Sequence, residues 1–255
     1  MSDCCEGTPT RLDLATRFLG EAWHPGGSVL SSALAFKMQA SRGDLFLDVG
    51  CGLGSTPRML SAQFGCDVVG MDLSSTNAVA ALRRSEEHGG LAFVAGDGQH
   101  VPMAEQKFDG VMLECVLSTF RDKAGATGEI ARILKPGGRV GISDVVVEGD
   151  IPDELKSPLL EALCVARALP AEGYRALLEQ SGFDVTGVER RKQETLDLLD
   201  RIKRALFVAK LLVGVGKLRL DAQDLDYASR LLFLARKSVE EDKLGYVILT
   251  AAKGR

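Results

Sequence analysis

Histidine is scarce in this chain, three residues in 255 (His24, His88 and His100), and no His–acid pair for general acid–base work is visible. His88 sits among charges at a helix end and His100 reads as structural. His24, beside Trp23, is the histidine placed to face a substrate. Long apolar runs are missing too. The nearest, Phe207 to Val215, is broken up by Lys210 and Gly214, is followed by Gly216, and falls well short of the ~20 residues a membrane helix needs. There is no basic-plus-apolar signal at the N-terminus, so a soluble, cytoplasmic protein is expected. Basic residues are in deficit, 31 against 35 acidic, and the net charge of -4 argues against general nucleic-acid binding. The six cysteines form no C-x-x-C pair, which speaks against a zinc site, and their scatter suits reduced thiols better than a disulfide framework. No internal repeat is visible.

What is present is enough apolar sequence, 45% of the chain, for one large domain with a substantial insertion. Strand-like runs at Leu45–Val49, Asp67–Asp72, Leu91–Ala95, Phe108–Glu114 and Arg139–Val147 alternate with helical segments, which implies a parallel sheet wound on both faces. A sixth strand is expected at 183–188 and a last at 245–252. Helical periodicity marks 28–40, 75–84, 125–134, 158–169 and 171–181, and it dominates 193–242. The division read from this is a helical cap over 1–43, a ligand-binding domain over 44–192 and 243–255, and a helical insertion over 193–242. The insertion would cover the active end of the sheet or form a homodimer face.

The organising stretch is Leu45-Phe-Leu-Asp48-Val49-Gly50-Cys51-Gly52-Leu53-Gly54-Ser55-Thr56-Pro57. A buried strand ends on an acid, passes a glycine turn and meets a helix start, with Ser55 or Thr56 as cap. Such a turn lets a ligand press on bare main chain. A dinucleotide fingerprint needs G-x-G-x-x-G, and its third glycine would fall at Ser55, so a nicotinamide enzyme is disfavoured. Acids close the next two strands as well, Asp72 followed by Leu73, and Asp97 followed by Gly98 and Gln99.

These motifs, with the Lys135-Pro136-Gly137-Gly138 turn, resemble the class I S-adenosylmethionine-dependent methyltransferases across roughly residues 43–190. The resemblance implies a Rossmann-like, doubly wound α/β sheet of seven strands whose last strand is antiparallel. It implies S-adenosylmethionine as cofactor, with S-adenosylhomocysteine as product. It also assigns cofactor-binding roles: Asp48 near the cationic groups, Gly50, Cys51, Gly52 and Gly54 under the ligand, Asp72 and Leu73 at the ribose, Asp97, Gly98 and Gln99 at the adenine, and Glu114 at the fourth strand end.

Glu114-Cys115-Val-Leu-Ser-Thr-Phe-Arg-Asp122-Lys123, with Cys164 beyond the fifth strand, is similar to the arsenite methyltransferases. In that family paired thiolates hold a trivalent metalloid whose lone pair takes the methyl group. Soft thiolates suit such an acceptor, and no general base is required. Cys115 and Cys164 are therefore the expected catalytic residues, with Trp23, His24, Cys4 and Cys5 as further substrate contacts. The third cysteine that family carries before the first strand is missing from residues 24–29. Two rival readings are a quinone or natural-product O-, N- or C-methyltransferase, and a non-catalytic module that only binds the cofactor.

Overall fold

The computed structural model describes residues 24–87, 89–156, 164–216, 218 and 220–254. Cys4, Cys5, Trp23, His88 and the first half of the helix expected over 158–169 lie outside the described residues. Seven strands are present: β1 (Leu45–Val49), β2 (Asp67–Asp72), β3 (Leu91–Ala95), β4 (Phe108–Glu114), β5 (Leu134–Val147), β6 (Phe183–Arg190) and β7 (Leu244–Lys253). The described helices are α1 (Gly27–Lys37), α2 (Ser55–Phe64), α3 (Ser75–Arg84), α4 (Lys123–Ile133), α5 (Ala171–Gln180), α6 (Lys192–Gly214) and α7 (Ala222–Glu240), with short 3₁₀ turns at Leu117–Thr119 and Asp153–Lys156.

The strands form one sheet ordered β3-β2-β1-β4-β5-β7-β6. β1 to β5 pair in parallel, while β7 runs antiparallel to both β5 and β6. Central strands buried on both faces need near-continuous apolar sequence, which Leu45–Val49 and Val111–Leu113 supply. One face packs Leu47, Val111 and Leu113 against Ile130 and Ile133 of α4 and Tyr174 and Leu178 of α5. The other packs Phe46, Val68 and Ile248 against Leu30 and Leu34 of α1 and Met59 and Leu60 of α2. α6 and α7 pack on each other and, through Leu199, Leu231 and Val239, on Leu244, Ile151 and Leu155.

Three local expectations are corrected. Gly54, in the left-handed region at φ 80°, is the N-cap of α2, and neither Ser55 nor Thr56 caps it; the Thr56 hydroxyl is taken up by Glu114. β5 starts at Leu134, so Lys135–Gly138 forms an irregular opening of the strand, where the β4–β5 register shifts. Cys164, expected inside a helix, stands in a turn at φ 63°. Ser74 caps α3, accepting from the Asn77 amide at 3.3 Å.

Candidate active site

The loops at the carboxyl ends of β1 to β5 enclose two adjoining cavities of about 350 and 420 Å³. Gly50, Cys115 and Cys164 line both, so the thiols stand on the shared wall. Asp72, Leu73, Asp97, Gly98 and Gln99 belong to the first cavity, and Asp48, Cys51, Gly52, His24 and Glu114 to the second.

The glycine turn is held from below. Gly50 and Cys51 donate to the Met71 carbonyl (2.7 and 3.0 Å), and Gly52 donates to Asp72 Oδ2 at 2.8 Å. Gly50 takes φ 75°, and a Cβ there would fall 2.8 Å from Val116 Cγ2. A Cβ at Gly98 would meet Phe120 Cζ at 2.5 Å. Both positions exclude a side chain from the cavity floor. The other Asp72 oxygen accepts from the Ser74 amide (2.9 Å) and Asn77 Nδ2 (3.2 Å), which fixes the carboxylate at the strand tip. Asp97 is fixed in the same manner by the Gln99 amide at 2.9 Å, while Gln99 Oε1 accepts from the amides of Arg121 and Asp122.

Asp48 is buried, and burial, then Glu114, then Asp72, push its carboxyl well above the usual range. Three acids converging in this way make a site that a cation would stabilise. Glu114 is the most heavily bonded of them. It accepts from Ser31 Oγ (2.9 Å), Thr56 Oγ1 (2.6 Å) and Ser143 Oγ (3.4 Å), and His24 Nε2 lies 3.8 Å away. The fold thus builds a His–acid pair that the sequence does not display, because its members stand far apart in the chain.

The thiols come together around a third group. Cys115 Sγ, Cys164 Sγ and an Asp144 carboxylate oxygen all lie within 4.8 Å of one another. Both cysteines occupy left-handed backbone (φ 54° and 63°), uncommon for residues with a Cβ. The Cys164 thiol donates to the Cys115 carbonyl at 3.1 Å. Cys115 Sγ lies 3.2 Å from the Tyr246 hydroxyl, which donates to Ser143 Oγ (2.9 Å); Ser143 in turn reaches Glu114. Hydrogen bonding with Cys164, then burial, push the Cys115 thiol well up. Burial raises Asp144 to about 6, opposed by the amides of Ser118 and Val145 that it accepts from. Burial also pushes Cys51 up, and takes Cys66, outside the cavities, to about 11.

Ser31, Thr56, Ser143, Asp144 and Tyr246 are the site residues that sequence reasoning did not assign. Thr56 was legible only as a cap, and nothing local distinguishes Tyr246 from its strand neighbours.

Residues 47–142 match the sequence family described as "Methyltransferase domain". The match covers the glycine turn, all three strand-tip acids and Cys115. This region is a methyltransferase domain of the class I S-adenosylmethionine-dependent type. Among relatives of this family, it is 30% identical over 176 residues to methyltransferase GfsG of Streptomyces halstedii, covering 66% of this chain and 63% of that one. It is 28% identical over 158 residues to the arsenite methyltransferase of Halobacterium salinarum, covering 60% and 40%. The matches thus span less than two thirds of both relatives. A solved methyltransferase of the same fold is phosphoethanolamine N-methyltransferase 2 of Haemonchus contortus, in complex with S-adenosylmethionine (TM-score 0.79, 21% identity, 96% of this chain and 57% of that one). No helix among the described residues is long and apolar enough to cross a membrane.

Proposed function

We propose that this methyltransferase transfers the methyl group of S-adenosylmethionine to a small thiophilic acceptor, such as trivalent arsenic, held between Cys115 and Cys164. The observation that carries this reading is the cluster of Cys115, Cys164 and Asp144 on the wall between the two cavities. Asp72, Asp97, Gly98 and Gln99 take the nucleoside in the first cavity, and Asp48 and Glu114 face its cationic end. The cofactor supplies an electrophilic methyl on a sulfonium, already a good leaving group. The chain's task is then alignment and charge placement. The raised thiol pKa values do not obstruct the acceptor. As each sulfur bonds a trivalent hydroxide, its proton departs with that hydroxide as water, and no free thiolate has to build up. The bound centre keeps its lone pair for the methyl group. Free thiols in this role fit a reducing, cytoplasmic setting.

A second reading is favoured by the far wall of the second cavity, where Leu198, Leu199, Ile202, Ala235 and Leu244 present aliphatic surface. Such a wall suits an organic acceptor methylated at oxygen, nitrogen or carbon. The test is an acceptor panel containing arsenite with a thiol, simple thiols, quinols and phenols, run on the wild type and on Cys115→Ser and Cys164→Ser. Methylation of arsenite that is lost in both variants supports the first reading. An organic acceptor turned over equally by all three proteins overturns it in favour of the second. Cofactor binding without turnover across the panel would instead mark a binding module.

A further inference from the structure

From Arg201 to Leu220 the sequence carries six basic residues and no acid, in a chain whose net charge is -4. Most of this stretch is the C-terminal half of α6. Helical spacing at i, i+3, i+4, i+7 and i+11 puts Arg204, Phe207, Val208, Leu211 and Val215 on one side. That side is bare: Phe207 is 64%, Leu211 55% and Val215 67% exposed. Lys203 and Lys210, both exposed, border it, and Lys210 Nζ reaches Asp226 Oδ1 at 2.8 Å. The opposite side of the same helix carries Leu199, Ile202 and the buried Ala209, and its first two line the acceptor cavity. α6 is therefore apolar on both sides, and the fold covers only one of them. Singly exposed apolar residues are ordinary; a contiguous stripe with a cationic margin is not.

We propose that this stripe docks on an anionic lipid surface, with Phe207, Leu211 and Val215 in the acyl boundary and the flanking basic groups at the headgroups. The charge pattern selects that occupant. A basic amphipathic helix gains from anionic lipid through both apolar burial and electrostatics, whereas a second copy would bring the same cations against one another. The inference does not depend on which acceptor is methylated.

The test is co-sedimentation of the full chain with vesicles of equimolar phosphatidylcholine and phosphatidylserine, beside vesicles of phosphatidylcholine alone. Binding should be confined to the anionic vesicles and weaken as salt is raised. It should fall roughly tenfold or more in Lys203→Glu with Arg204→Glu, given about fivefold per basic residue at a surface. It should fall comparably in Phe207→Ser with Leu211→Ser. All four positions are exposed and outside the cavities, so thermal stabilisation by adenosylhomocysteine should survive as the check on folding. Absence of vesicle binding would overturn the proposal. So would equal binding to both vesicle types, or a stable dimer that Phe207→Ser with Leu211→Ser dissociates.

Discussion

The two cavities are assembled from different kinds of sequence information. The first is built mainly from strand tips and the turns that follow them, each a short stretch: Val49–Gly50, Asp72–Leu73, Gly96–Gln99 and the residues between Cys115 and Arg121. The second draws on His24, Ser31, Thr56, Glu114, Cys164, Leu199 and Tyr246, which span most of the chain. A parallel sheet delivers its strand ends to one edge whatever lies elsewhere, so a binding site there needs only local residues. An acceptor site walled by an antiparallel strand and an inserted helical pair depends on long-range packing. The difference explains why the residues of the first cavity can be picked out from short stretches of sequence while those of the second cannot.

Substitutions sharpen the contrast. The largest effect is expected at Asp72, where Asp72→Ala would remove the proposed acceptor for two ribose hydroxyls. At about 2 kcal/mol for each hydrogen bond to a charged group, cofactor affinity should drop about a thousandfold by calorimetry. Next, Cys115→Ser and Cys164→Ser should each lower turnover on a thiophilic acceptor roughly a hundredfold, the scale of losing positioning at a reacting centre. Adenosylhomocysteine affinity should change far less, since the thiols stand on the wall between the cavities and their proposed role is toward the acceptor.

Asp48→Asn should act more gently and in two directions. Because the folded state raises the Asp48 pKa, its ionisation costs stability, and that cost grows as pH rises from the unfolded pKa through the folded one. The variant should therefore melt higher at neutral pH while binding S-adenosylmethionine roughly tenfold more weakly, with adenosylhomocysteine, which lacks the sulfonium, affected less. In the wild type a bound cation favours the carboxylate, so S-adenosylmethionine affinity should increase with pH up to the raised pKa. Binding should release a proton, visible as a buffer-dependent enthalpy. The smallest effect is expected for Tyr246→Phe, which breaks the line from Cys115 to Ser143 and costs about 1–3 kcal/mol of stability for the buried partners left unmet. Cofactor affinity should be unaltered.

What the sequence made legible follows the same division. The strands of the sheet and the three acids could be read because alternating apolar runs and strand-end residues are local signals, whereas the antiparallel direction of the last strand came only through the family resemblance. Cys115 and Cys164 could be named as a pair only through resemblance. Their approach, and the addition of Asp144, come from a turn at Cys164 where periodicity had suggested helix. The His24–Glu114 contact and the Tyr246–Ser143 link were invisible, because their members stand far apart in the chain; β7 takes its place between β5 and β6 only after the α6–α7 excursion. Thr56 shows how a local rule misleads: a residue suited to capping was diverted to a buried carboxylate while Gly54 took the cap position without a side chain.

The most direct test of the thiol-held acceptor is arsenic-edge X-ray absorption on the protein mixed with arsenite in the absence of cofactor. Sulfur ligation of the metalloid that disappears in Cys115→Ser and in Cys164→Ser, but persists in Cys4→Ser with Cys5→Ser, is the predicted result. Sulfur ligation untouched by the first two substitutions, or an arsenic centre bound through oxygen alone, would contradict it.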